Sequence, residues 1–245
     1  MEVPDDHPRK ASLEVRHLLT DGFKAGLVAE AGLIAHGRGE AFDYLLGERT
    51  HPFADRACRA AAALLVLAKN PVFSVNGNVA ALCPKEVVAL SEAADAEIEV
   101  NLFYRTRERE EAIAKKLTDS GAKNVYGIGA STRLLGLSSP RALIDKALKN
   151  ADVVIVPLED GDRTEALRKA GKKVIAIDLN PLSRTAQTAD VTIVDNVVRC
   201  MPLMVRHAKA LHGKTDEADK IIRSYDNKKT LIEAETTIRK GARPA

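Results

Sequence analysis

The 245-residue sequence contains no tryptophan, and aromatic residues make up only 4% of it. Few aromatic side chains means few platforms on which nucleic-acid bases could stack. The 37 basic and 34 acidic residues are interspersed along the chain and give a formal net charge of +3 without a basic block. The composition therefore gives little support for nucleic-acid binding, and a site for a small molecule is the better expectation.

Long hydrophobic runs and paired cysteines are also missing. The longest strongly apolar run, Ala60–Ala68, is well short of the ~20 residues that a membrane-spanning helix needs. The first residues lack the basic-then-apolar order of a signal peptide, so no membrane association is expected. Cys58, Cys83 and Cys200 are far apart and form no CxxC pair. This argues against a disulfide framework or a structural zinc site and favours a reducing, cytoplasmic location.

What the sequence does contain is a regular alternation of short β-branched runs and helical stretches from Pro71 onward. Such alternation predicts parallel strands joined by right-handed helical crossovers. We therefore expect an α/β fold, a Rossmann-like parallel sheet of about six strands with helices on both faces. The six predicted strands are Val72–Val75, Glu97–Phe103, Asn124–Ile128, Val153–Leu158, Val174–Leu179 and Val191–Val194.

Both ends of the chain have helical spacing instead. No Gly/Ser linker or repeat separates these parts, so we predict one α/β domain over 1–245, with a helical part at 1–70, the sheet at 71–197 and a second helical part at 198–245. The predicted terminal helices are Ser12–Asp21, Phe23–Ala35, Phe53–Lys69, Val198–Leu211, Asp216–Tyr225 and Lys228–Lys240.

One stretch of the first helical part is predicted to be a loop. Gly37 and Gly39 bracket Arg38 in polar sequence, and such glycines predict a break between helices.

Polar segments follow the predicted strands, and ligands of an open parallel sheet bind outside the carboxyl ends of its strands. Each segment alone is equally well explained as turn chemistry, because Gly, Asn and Asp are common in short connections. Six such segments together favour a binding edge. They are Asn76–Asn78, Tyr104–Arg105, Gly127–Ser131, Glu159–Arg163, Asp178–Thr185 and Asp195–Asn196.

Asp178, Leu179 and Asn180 leave a strand at the place where a Rossmann-type sheet contacts a nucleotide ribose, although no GxGxxG sequence precedes them. Arg184 and Thr185 follow in a short helical turn, where a guanidinium and backbone N–H groups could meet a phosphate. The alternative is a helix cap beside a solvated arginine. Because GxxxxGK[ST] is absent, any ATP site is not a P-loop.

Other candidate residues also have an ordinary, non-functional explanation. The carboxylates of Asp160 and Asp162 suit Mg²⁺ beside phosphates, or one of them simply caps the following helix. Arg38 can neutralise a phosphate or a carboxylate, whereas a lone histidine such as His36 is more often a structural hydrogen-bonding residue. Lys85 is either a phosphate ligand or a solvated charge.

Five segments of the chain carry distinctive motifs: Ala31–Tyr44 (AGLIAHGRGEAFDY), Ser74–Ala81 (SVNGNVAA), Glu99–Thr106 (EVNLFYRT), Val156–Ala166 (VPLEDGDRTEA) and Ile177–Thr185 (IDLNPLSRT). Taken in this order, they resemble the archaeal 4-phosphopantoate–β-alanine ligases, also called phosphopantothenate synthetases. The resemblance spans nearly the whole chain and is specific to the motifs, not only to the fold.

The resemblance implies that 4-phosphopantoate, β-alanine and ATP become 4′-phosphopantothenate, AMP and diphosphate, a step towards coenzyme A, in a homodimer. Carried over by motif, the residues that contact ATP are Arg16, Arg38, Asp178, Leu179, Asn180, Arg184, Thr185, Asn196 and Val197. Arg16 would otherwise be taken for a surface residue.

The remaining roles are hypotheses. We expect Asn76, Asn101 and Arg105 to bind the acid substrate, with Lys85 near its phosphate. Arg38, Lys85 and His36 are the candidate catalytic residues, and Asp160 and Asp162 the candidate Mg²⁺ ligands. Two alternatives stay open: a nucleotide-binding regulatory module without turnover, and an ATP-dependent enzyme acting on another hydroxy acid.

Overall fold

A five-stranded parallel sheet lies at the centre of the protein, in the order β2-β1-β5-β6-β7. The computed structural model describes residues 3–7, 9–138 and 140–241. Two short strands pair separately and antiparallel. The strands are β1 (Pro71–Val75), β2 (Glu97–Val100), β3 (Thr132–Arg133), β4 (Leu143–Ile144), β5 (Val153–Pro157), β6 (Lys173–Ile177) and β7 (Val191–Ile193).

The apolar runs become the central strands because both faces of the sheet are covered. Every residue of β1 and β5 is buried. Successive residues alternate between two cores: Phe73 and Ile155 face one, while Val72 and Val154 face the other. Burial on both faces is typical of parallel sheets and explains why these runs do not alternate with polar residues. The predicted α/β fold class is confirmed.

The predicted strand at Asn124–Ile128 is wrong. Only Tyr126 pairs with the sheet, through an isolated parallel bridge to Glu99. Gly127 then takes a φ of +100°, and a Cβ there would lie 2.3 Å from the Val100 carbonyl oxygen. The backbone therefore turns away against β2 after one bridge, and the sheet has five strands instead of six.

The helices surround this sheet. Residues of α3, α5 and α10 contribute to the core on one face, and residues of α7 and α8 to the core on the other. The helices are α1 (Lys10–Lys24), α2 (Glu30–Leu45), α3 (Pro52–Leu67), α4 (Gly77–Leu82), α5 (Pro84–Ala94), α6 (Arg107–Asp119), α7 (Lys146–Asn150), α8 (Gly161–Lys169), α9 (Arg184–Thr188), α10 (Val197–Leu211), α11 (Thr215–Ser224) and α12 (Asn227–Lys240).

The loop predicted around Gly37 and Gly39 is also wrong. The helix predicted at Phe23–Ala35 is displaced, since α1 continues to Lys24 and α2 begins only at Glu30. Helix α2 then runs through both glycines to Leu45. Each interior glycine costs about 1 kcal/mol relative to alanine. Packing of Phe42 and Leu46 into a third apolar cluster offsets that cost.

The helical ends share the core of the sheet. One apolar cluster contains Leu19 of α1, Ala61 of α3, Met204 of α10 and Ala218 of α11 together with residues of the strands. Cys58, Cys83 and Cys200 are free and buried. Within the part of the chain that the structure describes, no helix combines the length and apolar character needed to cross a membrane.

Candidate active site

The carboxyl ends of the five central strands open into a single cleft of about 520 Å³. This volume falls within the range of small-molecule sites. The cleft brings together most of the candidate residues, although they come from segments far apart in sequence. They are His36, Arg38, Asn76, Asn101, Asp160, Asp178, Leu179, Asn180, Arg184, Thr185, Asn196 and Val197.

Two candidate arginines lie outside the cleft. The Arg16 side chain donates from Nε to the Glu40 carboxylate, at 3.0 and 3.2 Å, and so joins α1 to α2. The Arg105 side chain is only 6% exposed and is paired with Glu110. It also donates to the carbonyl oxygen of Gly127 at 3.0 Å. Arg105 thus fixes the connection after β2, and the expectation that it binds substrate is not supported.

Lys85 and Asp162 do not line the cleft either. Lys85 is exposed at the start of α5. The Asp162 carboxylate accepts from Arg141 at 2.9 Å and from Arg184 at 2.7 Å. These two guanidinium groups hold the pKa of Asp162 below its usual range. Asp162 therefore positions the Arg184 side chain through this hydrogen bond.

At the end of β6, the Asp178 side chain organises the loop that follows it. Its Oδ1 accepts from the Asn180 backbone N–H at 2.9 Å, and its Oδ2 accepts from the Ser183 hydroxyl. Ser183 in turn caps α9, accepting from the Ala186 N–H at 2.9 Å. Burial raises the pKa of Asp178, against these hydrogen bonds and the charge of Arg38. The loop is therefore fixed before any ligand arrives.

At the end of β7, Asn196 is held by a buried ionic network. Its Oδ1 caps α10 through the Val198 N–H at 3.2 Å, and its Nδ2 donates to Asp43 Oδ2 at 2.9 Å. Arg199 binds the same Asp43 carboxylate with two nitrogens, at 2.5 and 3.1 Å. Arg199 Nε also donates to Asp195 at 2.9 Å. Burial disfavours the charge of Arg199, but the two aspartates raise its pKa overall.

The turn after β5 lies in the middle of the cleft. Asp160 caps α8 with Oδ1, which accepts from the Arg163 N–H at 2.9 Å. Its Oδ2 is buried without a hydrogen-bond partner in the described residues, 3.4 Å from Arg141 Nη1. Burial raises the pKa of Glu159 to about 7, against the opposing charge of Arg163. Thr185 Oγ1 donates to the Glu159 carbonyl oxygen at 2.9 Å, which ties α9 to this turn.

At the end of β1, Asn76 joins two strands. Its Oδ1 accepts from the Val79 N–H at 3.2 Å and caps α4, while its Nδ2 donates to the Pro157 carbonyl oxygen at 2.8 Å. Gly77 is required by close approach, because a Cβ there would lie 2.0 Å from the Leu27 carbonyl oxygen. Asn78 Nδ2 donates to the Gly32 carbonyl oxygen at 2.9 Å, which fixes α2 against this end.

At the end of β2, Asn101 is 2% exposed and lines the cleft. Its Nδ2 donates to the Glu99 carbonyl oxygen at 3.3 Å, whereas its Oδ1 has no hydrogen-bond partner in the described part of the chain. Arg109 of α6 lines the same part of the cleft and donates to the Leu27 carbonyl oxygen at 2.8 Å. Burial lowers the pKa of Arg109.

Arg109 is the main cleft residue that sequence reasoning missed. It lies in the run Arg107–Glu111, whose alternating charges read as a solvated helix face. Its position depends on a contact with Leu27, 82 residues earlier in the chain. No local signal in the sequence reveals such a contact.

Three cationic side chains from α2, α6 and α9 therefore converge on one cleft: Arg38, Arg109 and Arg184. Arg38 has no hydrogen bond or ion pair to any other residue in the described ranges 3–7, 9–138 and 140–241. Positive charges from several elements around one cleft favour the binding of anions. The arrangement suits more than one anionic group, because the arginines lie on separate elements.

Fold and cleft define a parallel α/β protein with a polar, arginine-lined site at the carboxyl edge of its sheet. Residues 53–241 match the family described as phosphopantothenate/pantothenate synthetase. The chain belongs to that family.

Several relatives match almost the full length. A 4-phosphopantoate–β-alanine ligase of Thermococcus onnurineus is 54% identical, over 94% of this chain and 90% of the relative. That of Thermococcus kodakarensis is 52% identical, over 98% and 93%. That of Methanosarcina mazei is also 52% identical, over 95% and 92%.

Proposed function

We propose that this protein is an ATP-dependent ligase that joins 4-phosphopantoate and β-alanine, giving 4′-phosphopantothenate, AMP and diphosphate. The observation that carries the proposal is the convergence of motif residues on one cleft. Arg38 of α2 lies about 140 residues before the Asp178–Asn180 loop, Arg184 and Asn196 in the sequence, yet all of them line the same cavity. The names of the relatives supply the two substrates.

The nucleotide occupies the half of the cleft at the ends of β6 and β7. The loop of Asp178 and Asn180 is fixed by its own hydrogen bonds, so the ribose meets polar groups that need no rearrangement. Arg184 of α9 and Arg38 of α2 offset the phosphate charge. Leu179 and Val197 provide apolar surface beside these groups.

The acid occupies the half at the ends of β1 and β2, where Asn76, Asn101 and Arg109 line the cleft. Its carboxylate then lies towards β5, next to the α-phosphate of the nucleotide. Both reactants are polyanions, so cations between them are needed to bring the carboxylate to phosphorus. The arginines supply this charge, with Arg38 the least committed to other partners.

The reaction proceeds in two displacements. A carboxylate oxygen of phosphopantoate attacks the α-phosphorus, the bond to the bridging oxygen breaks, and diphosphate leaves. The amine of β-alanine then attacks the carbonyl carbon of this acyl adenylate, loses a proton, and AMP leaves as the amide forms. Since little acid–base chemistry is involved, positioning supplies most of the rate. His36 lines the cleft without a role that this scheme requires.

Mg²⁺ fits one of its two candidate ligands. The Oδ2 atom of Asp160 is buried beside the cleft and accepts no hydrogen bond from the described residues, and its one ion-pair partner among them is Arg141 Nη1 at 3.4 Å. Mg²⁺ in phosphate sites is commonly held by one or two carboxylates plus substrate oxygens. Asp162 fits less well, since both of its oxygens accept from arginines. When bound, the ion offsets charge on the departing diphosphate.

The test supplies purified protein with Mg·ATP, 4-phosphopantoate and β-alanine, and follows AMP and 4′-phosphopantothenate. We expect one AMP for each amide formed, and none when the acid is omitted. Binding of ATP without AMP formation would favour a regulatory module instead. Faster turnover with unphosphorylated pantoate, or with another hydroxy acid, would identify a different ligase or kinase.

The resemblance also supports a homodimer and a role in coenzyme A biosynthesis, and the free cysteines fit a cytoplasmic location. Light scattering of the eluting protein tests the dimer, since a mass near 26.5 kDa, that of one chain, would contradict it.

A further inference from the structure

Asn101 presents a buried hydrogen-bond acceptor with nothing to accept from. The residue is 2% exposed and lines the cleft, and no described residue donates to its Oδ1. The contact with Glu99 shows which end of the Asn101 amide is nitrogen and which is oxygen. Only the NH₂ end can bond to the Glu99 carbonyl oxygen, 3.3 Å away, so the oxygen is the free end.

An unmet acceptor in a buried position carries a penalty that a ligand donor removes. A phosphate or carboxylate oxygen cannot do this, because neither donates a hydrogen bond when ionised. The partner must therefore be an N–H or O–H group. Of the proposed substrates, the donors near the reacting carbon are the C2 hydroxyl of phosphopantoate and the amine of β-alanine.

Charge on the neighbouring wall separates these two donors. The Arg109 guanidinium lines the same end of the cleft and, within the part of the chain described, forms no ion pair with a carboxylate. An ammonium group here would be repelled by this cation. An anion that carries a neutral hydroxyl would have its charge offset by Arg109 and its hydroxyl free to donate.

We propose that Asn101 Oδ1 accepts a hydrogen bond from the C2 hydroxyl of phosphopantoate and so selects 2-hydroxy acids. This inference rests on the proposed function and deepens it from a substrate to a specificity-determining contact. Asn101 positions the carbon that carries the reacting carboxylate, and it takes no part in proton transfer.

The test compares phosphopantoate with its 2-deoxy analogue, the phosphate ester 4-phosphooxy-3,3-dimethylbutanoate. The value compared is kcat/KM for AMP formation at saturating ATP and β-alanine. We expect the wild-type protein to prefer phosphopantoate by about tenfold to a hundredfold, the cost of leaving a buried acceptor unmet. In Asn101→Ala the ratio of the two kcat/KM values should fall towards one, because neither acid then meets the Asn101 acceptor. Asn101→Ser should do the same, because the serine hydroxyl, although it can donate and accept, lies one bond short of the position of Oδ1.

Ser74→Ala is the matched control. Ser74 is as buried as Asn101, at 2% exposed, and its hydroxyl also lacks a partner in the described residues, but it does not line the cleft. This variant should keep the wild-type preference. A purely structural role of Asn101 would lower activity on both acids equally and leave the preference intact.

Three results would overturn the inference: no preference in the wild-type protein, an unchanged preference in both Asn101 variants, or a rise in KM for β-alanine alone. The last would assign the acceptor to the amine. Lack of any activity in the wild-type protein would instead overturn the proposed function itself, so the two failures are distinguishable.

Discussion

The two halves of the cleft satisfy their polar groups differently. At the ends of β6 and β7, the oxygens of Asp178 are hydrogen-bonded within the protein, and Asn196 bonds through both ends of its amide. At the end of β2, Asn101 Oδ1 and Arg109 Nε are buried without hydrogen-bond partners in the described residues. One half is complete before binding, while the other lacks groups that a substrate can supply.

In the proposed function, the two halves have different tasks. The half at the ends of β6 and β7 would bind the nucleotide with groups that are already aligned, so we expect a small ordering cost on binding. The unmet groups at the ends of β1 and β2 would make binding there depend on a substrate with matching donors and charge. Substitutions in the two halves should therefore fail in different ways.

The largest effect is expected from breaking the network beneath the nucleotide half. Arg199→Ala leaves Asp43 and Asp195, both less than 5% exposed, as buried carboxylates without their cation. Removing one partner of such a pair costs about 3–5 kcal/mol. Urea unfolding should show this loss, together with a higher KM for ATP because Asp43 no longer holds Asn196 firmly.

Arg206→Ala is the control on the same helix. Arg206 is exposed and has no hydrogen bond or ion pair to another described residue. Equal stability of the two variants would show that the network does not support the nucleotide half.

The next largest effect is expected from removing the positive charge of Arg38, which the proposed function places between the two anionic substrates. Arg38→Ala should lower turnover by at least ~10²-fold, as does the loss of one preorganised charge donor elsewhere. Thermal unfolding should stay close to that of the wild-type protein, since Arg38 is exposed and makes no contact that the fold needs. Arg239→Ala, which removes a surface arginine paired with Glu235, should leave turnover unchanged. Turnover like that of the wild-type protein in Arg38→Ala would remove Arg38 from the site.

A smaller effect distinguishes two glycines that border the cleft region. In Gly77→Ala the new methyl group would overlap the Leu27 carbonyl oxygen, so we expect a loss of stability of about 1–3 kcal/mol. In Gly37→Ala the methyl group points into open space within α2. Alanine is the better helix former, so this variant should gain about 0.5–1 kcal/mol. Urea unfolding measures both, and a loss of stability in Gly37→Ala would contradict the continuous helix.

The smallest effect is a pH dependence. Burial lowers the pKa of His36, and the charge of Arg16 adds to this, while Glu40 and Asp43 act in the opposite direction. Neutral His36 is therefore favoured in the folded state, and the unfolded chain binds a proton first as the pH falls. The stabilisation that His36 contributes to the folded state is fully present above pH ~6.5, the pKa of an unperturbed histidine. It is lost as the pH falls below that value, because the unfolded chain binds the proton more readily. His36→Gln should lose less stability than the wild-type protein between pH 7 and pH 5, measured by urea unfolding.

How much the sequence predicts depends on the range of the interactions. Buried apolar runs predicted β1, β5, β6 and β7, because a strand covered on both faces leaves a local signature. The same rule failed at Asn124–Ile128, where a glycine that packs against β2 turns the backbone. A different rule, that paired glycines break a helix, failed at Gly37, because packing of Phe42 and Leu46 outweighs the low helix propensity of glycine.

The site follows the same division. Parallel topology brings the carboxyl ends of strands to one edge, so the residues that follow strands could be predicted to share a cleft. Arg105 and Arg109 could not be told apart in this way. Arg105 is buried against Glu110. Arg109 lines the cleft and is held there by a hydrogen bond to Leu27, 82 residues earlier in the chain.

The most direct test is a crystal structure of the protein with ATP and 4-phosphopantoate. We expect the nucleotide against Asp178, Asn180 and Asn196, the acid against Asn76 and Asn101, and the carboxylate facing the α-phosphate near the end of β5. Ligands found in separate cavities, or a nucleotide out of reach of both Arg38 and Arg184, would contradict the claim that these arginines hold two anions together.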